Sequence, residues 1–231
     1  MPSEFDQFSN SYNEYLNDSV NLLGGKQAFF TDYKAKLIKN FLKKKSLLTT
    51  ELTFLDFGCG IGNNIPYLSK NLPRCRLYGT DISTGSIKIA NDLYSNICTF
   101  KYFEGGSLPF QNNYFDFIFI SNVLHHISSD NHVQTLKVIK EVLKKNGIIF
   151  IIEHNPLNPL TKSIFNNCIF DKEAEMLKAK YLLSILKKEK FKSPKLNYIL
   201  FVPPFLKFFS FIDKYISFIP LGAQYCITAR K

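Results

Sequence analysis

The chain has no tryptophan, two methionines and only three arginines (Arg74, Arg76 and Arg230) in 231 residues. Its five cysteines, Cys59, Cys75, Cys98, Cys168 and Cys226, form no CxxC pair. That leaves no spacing for a zinc ribbon or a disulfide framework, so they read as small buried hydrophobes of a reducing, cytoplasmic compartment. No window of 18 residues is both apolar and free of charge, which excludes a spanning helix. The first residues, MPSEFDQFSN, lack a basic segment followed by an apolar one, so no secretory signal is expected. The net charge of +10 is carried almost wholly by lysine. Nucleic-acid surfaces usually exploit arginine forks, so their scarcity argues against a nucleic-acid partner. The lysines read first as solvated helix faces, and second as attraction to an anionic substrate or membrane surface.

What is present is a change of period along the chain. Residues 1–50 read as helical: Phe5, Phe8, Tyr12, Tyr15 and Leu16 make one stripe. After Gly24-Gly25, Phe29, Phe30, Tyr33, Leu37, Phe41 and Leu42 make a second, with lysines opposite. From residue 52, short apolar runs (Leu52–Phe57, Arg76–Thr80, Cys98–Phe103, Phe115–Ser121, Gly147–Glu153) alternate with helical stretches near 63–71, 84–94 and 131–145. Apolar runs without alternation are strands buried on both faces, so the fold class is α/β: a doubly wound, mostly parallel sheet with helices on each side. Glu173–Lys190 reads as an amphipathic helix, and Leu196–Val202 and Ala223–Ala229 as late strands that can pair antiparallel. Two X-Pro steps in HNPLNP, residues 154–159, predict that no helix begins there.

Asp56 and the glycines at 58, 60 and 62 close the first strand in FLDFGCGIG, and Asp81 closes the second in YGTD. The spacing is GxGxG, not the GxGxxG of a dinucleotide site. A carboxylate at Asp56 repels a pyrophosphate but suits an ammonium or sulfonium. Asp81 stands where an acid can chelate two ribose hydroxyls. S-adenosylmethionine has a ribose, an amine and a sulfonium, and satisfies both.

LDFGCGIG, YGTDIS, FEGGSLPFQNNYFDFIFISNVLHHI and LKKNGIIFIIEHN stand in that order between about residues 50 and 153. Together they resemble a class I S-adenosylmethionine-dependent methyltransferase of the small-molecule kind. The resemblance implies a Rossmann-like, seven-stranded sheet with a reversed last strand, in a single domain. Its parts would be an N-terminal helical lid (1–50), a cofactor-binding core (51–153) and a substrate-side region (154–231) that includes a hydrophobic insertion. It implies that Gly58, Cys59, Gly60 and Gly62 flank the methionine part, that Asp81 holds the ribose and that Ile82 lines the adenine pocket. Glu104, followed by Gly105, would reach the adenine amine. Ser121 and Asn122 would border the sulfonium, and Tyr15 would belong to the lid. The product would be S-adenosylhomocysteine.

Methyl transfer is an in-line displacement in which the protein mainly aligns the acceptor; a hydroxyl acceptor also needs a base. His125, His126 and His154 follow strands at the carboxyl edge of the sheet, where ligands bind. His125 or His126 is the expected base with Glu153 orienting it, and His154 is the competing base. His132 reads as an exposed helix residue. Metal-dependent relatives need clustered acids, and Asp130 alone makes none, so no metal site is expected. Residues 203–222, PPFLKFFSFIDKYISFIPLG, are apolar around more than one stripe. They read as packed on the core or a partner chain, or as a wall for a lipid-linked substrate or a surface dipping into a membrane. In the latter case Lys207, Lys214 and the lysines of 178–195 would meet acidic head groups. The expected reaction is methylation of a small-molecule hydroxyl, on a sugar, a lipid-linked sugar or a quinone-like phenol, with polysaccharide or lipid-linked biosynthesis as the setting. The alternatives are an RNA or protein methyltransferase, a catalytically silent binding subunit, and a nicotinamide oxidoreductase. Oligomers are compatible with the sequence.

Overall fold

A computed structural model of the chain describes residues 27–168 and 171–231. Seven strands form one sheet: β1 (Leu52–Phe57), β2 (Cys75–Asp81), β3 (Cys98–Tyr102), β4 (Phe115–Ser121), β5 (Leu143–His154), β6 (Lys192–Ile199) and β7 (Gln224–Arg230). Their spatial order is β3-β2-β1-β4-β5-β7-β6. Strands β1 to β5 pair in parallel, whereas β7 runs antiparallel to both β5 and β6. The reversed last strand is therefore present. The chain leaves β1 toward β2 and β3 on one side, and returns to β4 on the other. The strand order reverses between β1 and β4, and their carboxyl ends are the place where such sheets take their ligands.

Both faces of the sheet are covered, as continuous apolar strands require. On one face lie α1 (Gln27–Lys44), α2 (Ile65–Asn71) and α3 (Thr84–Tyr94), which bring Ala35, Ile38, Leu42, Ile65, Leu68, Ile87 and Ala90 onto Phe54, Phe117, Phe119 and Phe150. On the other lie α4 (His132–Val142) and α6 (Ala179–Lys188), with Leu136, Ile139, Leu182 and Leu186 over Leu55, Ile118, Ile120, Ile149 and Ile151. Phe41 of α1 meets Phe117 and Phe150 edge-on at 6.2 and 5.7 Å, which fixes α1 across β4 and β5.

Several sequence expectations need correction. A helix, α5 (Pro159–Asn167), does begin at the HNPLNP turn. Asn158 takes the extended conformation that precedes proline, and its side chain accepts from the Thr161 N–H at 2.9 Å, so it caps the helix. Pro159 is then the first helical residue, where its missing N–H costs nothing. The Glu173–Lys190 helix is shortened to Ala179–Lys188: Lys178 is extended, and the Glu175 N–H donates to the His125 carbonyl, which draws the chain along the site. The α4 helix stops at Val142, because Leu143 already pairs with Phe115 in the sheet. Strand β6 starts four residues earlier than expected and ends before Leu200, whose φ of 60° breaks the extended run. Residues 204–212 form 3₁₀ turns, followed by the single-turn helix α7 (Asp213–Ile216). His132 is buried; its ring bonds the Tyr181 hydroxyl and the Leu124 carbonyl, each at 2.8 Å. Within α1 the lysines do not all face outward: Lys34 lies on the buried stripe with Thr31, Ala35, Ile38 and Leu42. The first aromatic stripe, with Tyr12 and Tyr15, lies outside the described residues.

Candidate functional site

The glycine loop leaves β1 with Gly58, Gly60 and Gly62 at φ of 73°, 52° and 84°, a backbone that L side chains rarely adopt. A Cβ on Gly58 would lie 2.4 Å from a methyl of Val123, so this glycine lets the loop press against the end of β4. The Gly58 and Cys59 N–H groups donate to the Thr80 carbonyl at 2.8 and 3.0 Å. Asp81 clasps the loop from the end of β2: one carboxylate oxygen accepts from the Gly60 N–H at 2.8 Å, the other from the Ser83 N–H at 2.9 Å. Ile82 beside it is exposed, while Cys59 is buried, its thiol pushed up by burial.

Asp56 is buried under this loop. Its Oδ2 accepts from the Asn64 side chain at 3.0 Å, and its Oδ1 has no hydrogen-bond partner among the described residues. Burial raises its carboxyl to about 7, against the opposing effects of Asn64 and Lys34. Lys34 reaches in from α1 and donates to the Ser121 hydroxyl at 2.8 Å. Burial lowers its ammonium to about 8, and Glu153 and Asp56 hold it there. Asn122 takes φ 55° and accepts from the Gln224 side chain at 3.1 Å, which ties the end of β4 to β7. Glu104 follows β3 at the same edge and is exposed; a Cβ on Gly105 or Gly106 would meet nothing within 4 Å.

The histidines gather one strand further along. Glu153, buried at the end of β5, accepts from the Val123 and Leu124 N–H groups at 3.1 and 2.8 Å on one oxygen, and from His125 Nδ1 at 2.6 Å on the other. It therefore shapes the 124–126 turn and orients the His125 ring. His125 Nε2 lies 3.2 Å from Asp171 Oδ1, and His126 Nε2 lies 3.5 Å from the same oxygen. Burial opposes charge on His125, but the two carboxylates outweigh it and raise the imidazole to about 9. Burial, then the charge on His125, lowers His126 and His154 to about 4 each. Burial alone would raise the carboxyls of Glu153 and Asp171; the neighbouring histidines hold both below their ordinary range. Phe165 of α5 packs edge-on against His125 and His154 at 5.5 and 5.6 Å and closes the side of the cluster. The HNPLNP turn is anchored by Asn155, which donates to the Pro220 and Gly222 carbonyls at 3.1 and 2.8 Å.

Two neighbouring centres thus lie on the carboxyl edge: an acidic glycine-loop crevice and a histidine–carboxylate cluster. Residues 55–151 match the family model described as a methyltransferase domain. Residues 55–151 thus resemble a methyltransferase domain, and the sheet around them has the fold of solved SAM-dependent methyltransferases. A tRNA (carboxymethyluridine(34)-5-O)-methyltransferase of Schizosaccharomyces pombe is 31% identical over 135 residues, 57% of this chain and 54% of that protein. The chain spans about half the length of the curated relatives it matches. Among solved structures, a SAM-dependent methyltransferase of Thermotoga maritima covers 98% of both chains at 19% identity, with a TM-score of 0.64. Phosphoethanolamine N-methyltransferase 2 of Haemonchus contortus, solved with S-adenosyl-L-methionine, covers 82% of this chain and 51% of its own at 18% identity, with a TM-score of 0.58.

The solved phosphoethanolamine N-methyltransferase neighbour holds S-adenosyl-L-methionine, and the donor set at the glycine loop fits such a cofactor. Asp56 Oδ1, buried and without a partner among the described residues, suits a cationic hydrogen-bond donor such as an ammonium.

The structure brings Asp56, Gly58, Cys59, Gly60, Gly62, Asp81, Ile82, Ser121 and Asn122 to the carboxyl ends of β1, β2 and β4, and His125, His126, Glu153 and His154 to the other centre. Glu104 and Gly105 stand on the exposed rim, and Tyr15 lies outside the described residues. Sequence reasoning missed Lys34 and Asp171. Lys34 was findable, because it shares the helical stripe of Thr31, Ile38 and Leu42. Asp171 had no such signal.

Proposed function

We propose that this chain transfers a methyl group from S-adenosylmethionine to a small-molecule acceptor, at a hydroxyl of a sugar, a lipid-linked sugar or a quinone-like phenol. Bound cofactor supplies an activated methyl group on a sulfonium. Asp56 and Lys34 bind its amine and carboxylate, Asp81 its ribose and Ile82 its adenine, while Ser121 and Asn122 border the reacting carbon.

The observation that carries the acceptor assignment is the three-histidine cluster beside the crevice, since an amine or thiolate acceptor needs no base and a hydroxyl does. His125 has both ring nitrogens against carboxylates and acts as a positioning group. We place the base role on His126, the half-buried member of the pair, with Glu153 orienting the turn that presents it. The exposed aromatic row Phe205, Phe208, Phe211, Tyr215 and Phe218 supports an acceptor carried on a lipid.

Calorimetry with S-adenosylhomocysteine should show one site per chain. Metabolite profiling of cells with and without the protein should then show a hydroxyl compound shifted by one CH₂. His126→Ala should spare homocysteine-nucleoside binding and slow turnover about 10²–10⁴-fold; full activity would remove the base assignment. A second reading, an RNA acceptor, is favoured by the tRNA methyltransferase named among the relatives. Methyl incorporation into bulk tRNA by the purified chain would replace the small-molecule reading with that one.

A further inference from the structure

The cluster around Asp171 has a feature that a base–acid pair does not need. Three residues from separate segments, His125 after β4, His154 at the end of β5 and Asp171 beyond α5, bring one ligand-type atom each to within 4.8 Å of one another. A tetrahedral ion with bonds of about 2.0–2.1 Å sets its ligand atoms about 3.4 Å apart. The 3.2 Å between His125 Nε2 and Asp171 Oδ1 already matches that spacing. The longest pair would have to close by about 1.4 Å at most. We propose that His125 Nε2, a ring nitrogen of His154 and Asp171 Oδ1 form a binding site for a divalent first-row transition ion, zinc in the first place.

The surroundings match what such a site requires. Ligating histidines characteristically donate their other N–H to a carboxylate, which fixes ring and tautomer. His125 Nδ1 does so to Glu153 at 2.6 Å, and Glu153 is itself pinned by two backbone N–H groups. Two imidazoles and a carboxylate suit zinc or iron better than magnesium or calcium, which prefer all-oxygen shells. Asp171 and Glu153 together balance a 2+ charge. Phe165 shields one side through its contacts with both histidine rings, and His126 Nε2 stands 3.5 Å from the ligating oxygen of Asp171. Three protein ligands leave an open coordination position, as in catalytic rather than structural sites. The site deepens the proposed function and rests on it only for its consequence: an acceptor oxygen placed on the ion would have its pKa lowered.

The test is binding of the metal alone to the purified, chelator-stripped chain. Co²⁺ should bind at one equivalent with the visible absorption of a nitrogen- and oxygen-ligated ion, and calorimetry with Zn²⁺ should give the same stoichiometry. His154→Gln and Asp171→Asn should each weaken Zn²⁺ binding at least tenfold, and Glu153→Gln, a positioning change, about 10–100-fold. Asp130→Asn should leave it unchanged. Circular dichroism keeps the variants comparable: where one fails to fold, Co²⁺ spectra of the wild-type chain decide alone. No Co²⁺ spectrum and no Zn²⁺ heat with the wild-type chain overturns the proposal, as does binding indifferent to His154 and Asp171. S-adenosylhomocysteine binding, measured on the same stripped protein, keeps the two ideas apart. Its presence without metal binding removes only the ion site, and its absence removes the methyltransferase reading.

Discussion

Replacing Asp56 by asparagine should make the ligand-free protein more stable while weakening its hold on the cofactor. The carboxyl is buried, one of its oxygens has no partner among the described residues, and burial raises it from 3.8 to about 7. In the unfolded chain this group ionises near pH 4; in the folded chain it keeps its proton up to about pH 7. The folded state therefore binds more protons between those values, and stability falls as pH rises through that window. About three pKa units at 1.36 kcal/mol each give a penalty of about 4 kcal/mol above pH 7, and about 1.5 kcal/mol at pH 5. An amide has no charge to desolvate and recovers the larger part. Urea unfolding at pH 8.5 should place Asp56→Asn at least 2 kcal/mol above the parent, with a gap clearly smaller at pH 5. Calorimetry at pH 8.5 should show S-adenosylhomocysteine binding weakened tenfold or more, because an ammonium loses its anion. For the parent, that affinity should decline as pH falls below about 7. A variant no more stable than the parent at pH 8.5, or equally stabilised at both pH values, would refute the reasoning.

Other predictions follow from the same geometry. Asp81→Ala removes the acceptor of the Gly60 and Ser83 N–H groups and the proposed ribose anchor; calorimetry should show at least a tenfold loss of S-adenosylhomocysteine affinity, and unchanged affinity would remove the ribose assignment. Lys34→Met takes a buried cation from beside Asp56 and Glu153; binding of the same nucleoside should weaken, and unchanged affinity would place Lys34 outside the cofactor site. Asn155→Ala breaks the buried bonds to Pro220 and Gly222; stripping those carbonyls of their donor should cost about 2–3 kcal/mol in urea unfolding. Flotation with anionic vesicles should show salt-sensitive association that Phe208→Asp with Phe218→Asp abolishes, since these side chains are 82% and 77% exposed. Absence of flotation would leave the aromatic row to a protein partner.

The strands and the glycine loop were legible because they rest on local signals. Apolar runs such as Phe115–Ser121 are long enough to be strands, and glycines at 58, 60 and 62 declare a loop of positive φ. Asp56 and Asp81 end adjacent strands, so their nearness follows from parallel pairing of Asp56 with Gly79. The histidine cluster was legible in part. His125 and His126 follow β4 and Glu153 stands near the end of the neighbouring β5, but the contacts of Asp171 and Glu175 with His125 are tertiary and have no local pattern that announces them. Lys34 was lost to a general rule that lysines face water, although its helical position contradicted it. The proline turn misled in the opposite sense: the residue before proline avoids helix, yet proline itself opens one, and Asn158 supplies the cap. The aromatic tail was read from its apolar stripes, which could not show that Phe205, Phe208, Phe211 and Phe218 stay exposed. No helix among the described residues is long and apolar enough to cross a membrane, in line with the absence of an apolar run.

The central claim is that the crevice between the ends of β1 and β4 receives a sulfonium nucleoside. A crystal structure of the chain with S-adenosylhomocysteine tests it most directly. The account predicts ribose hydroxyls on Asp81, the amine on Asp56 Oδ1 and the sulfur facing Ser121 and Asn122. A nucleoside bound elsewhere, or a crevice that stays closed with Asp81 turned away, would contradict it.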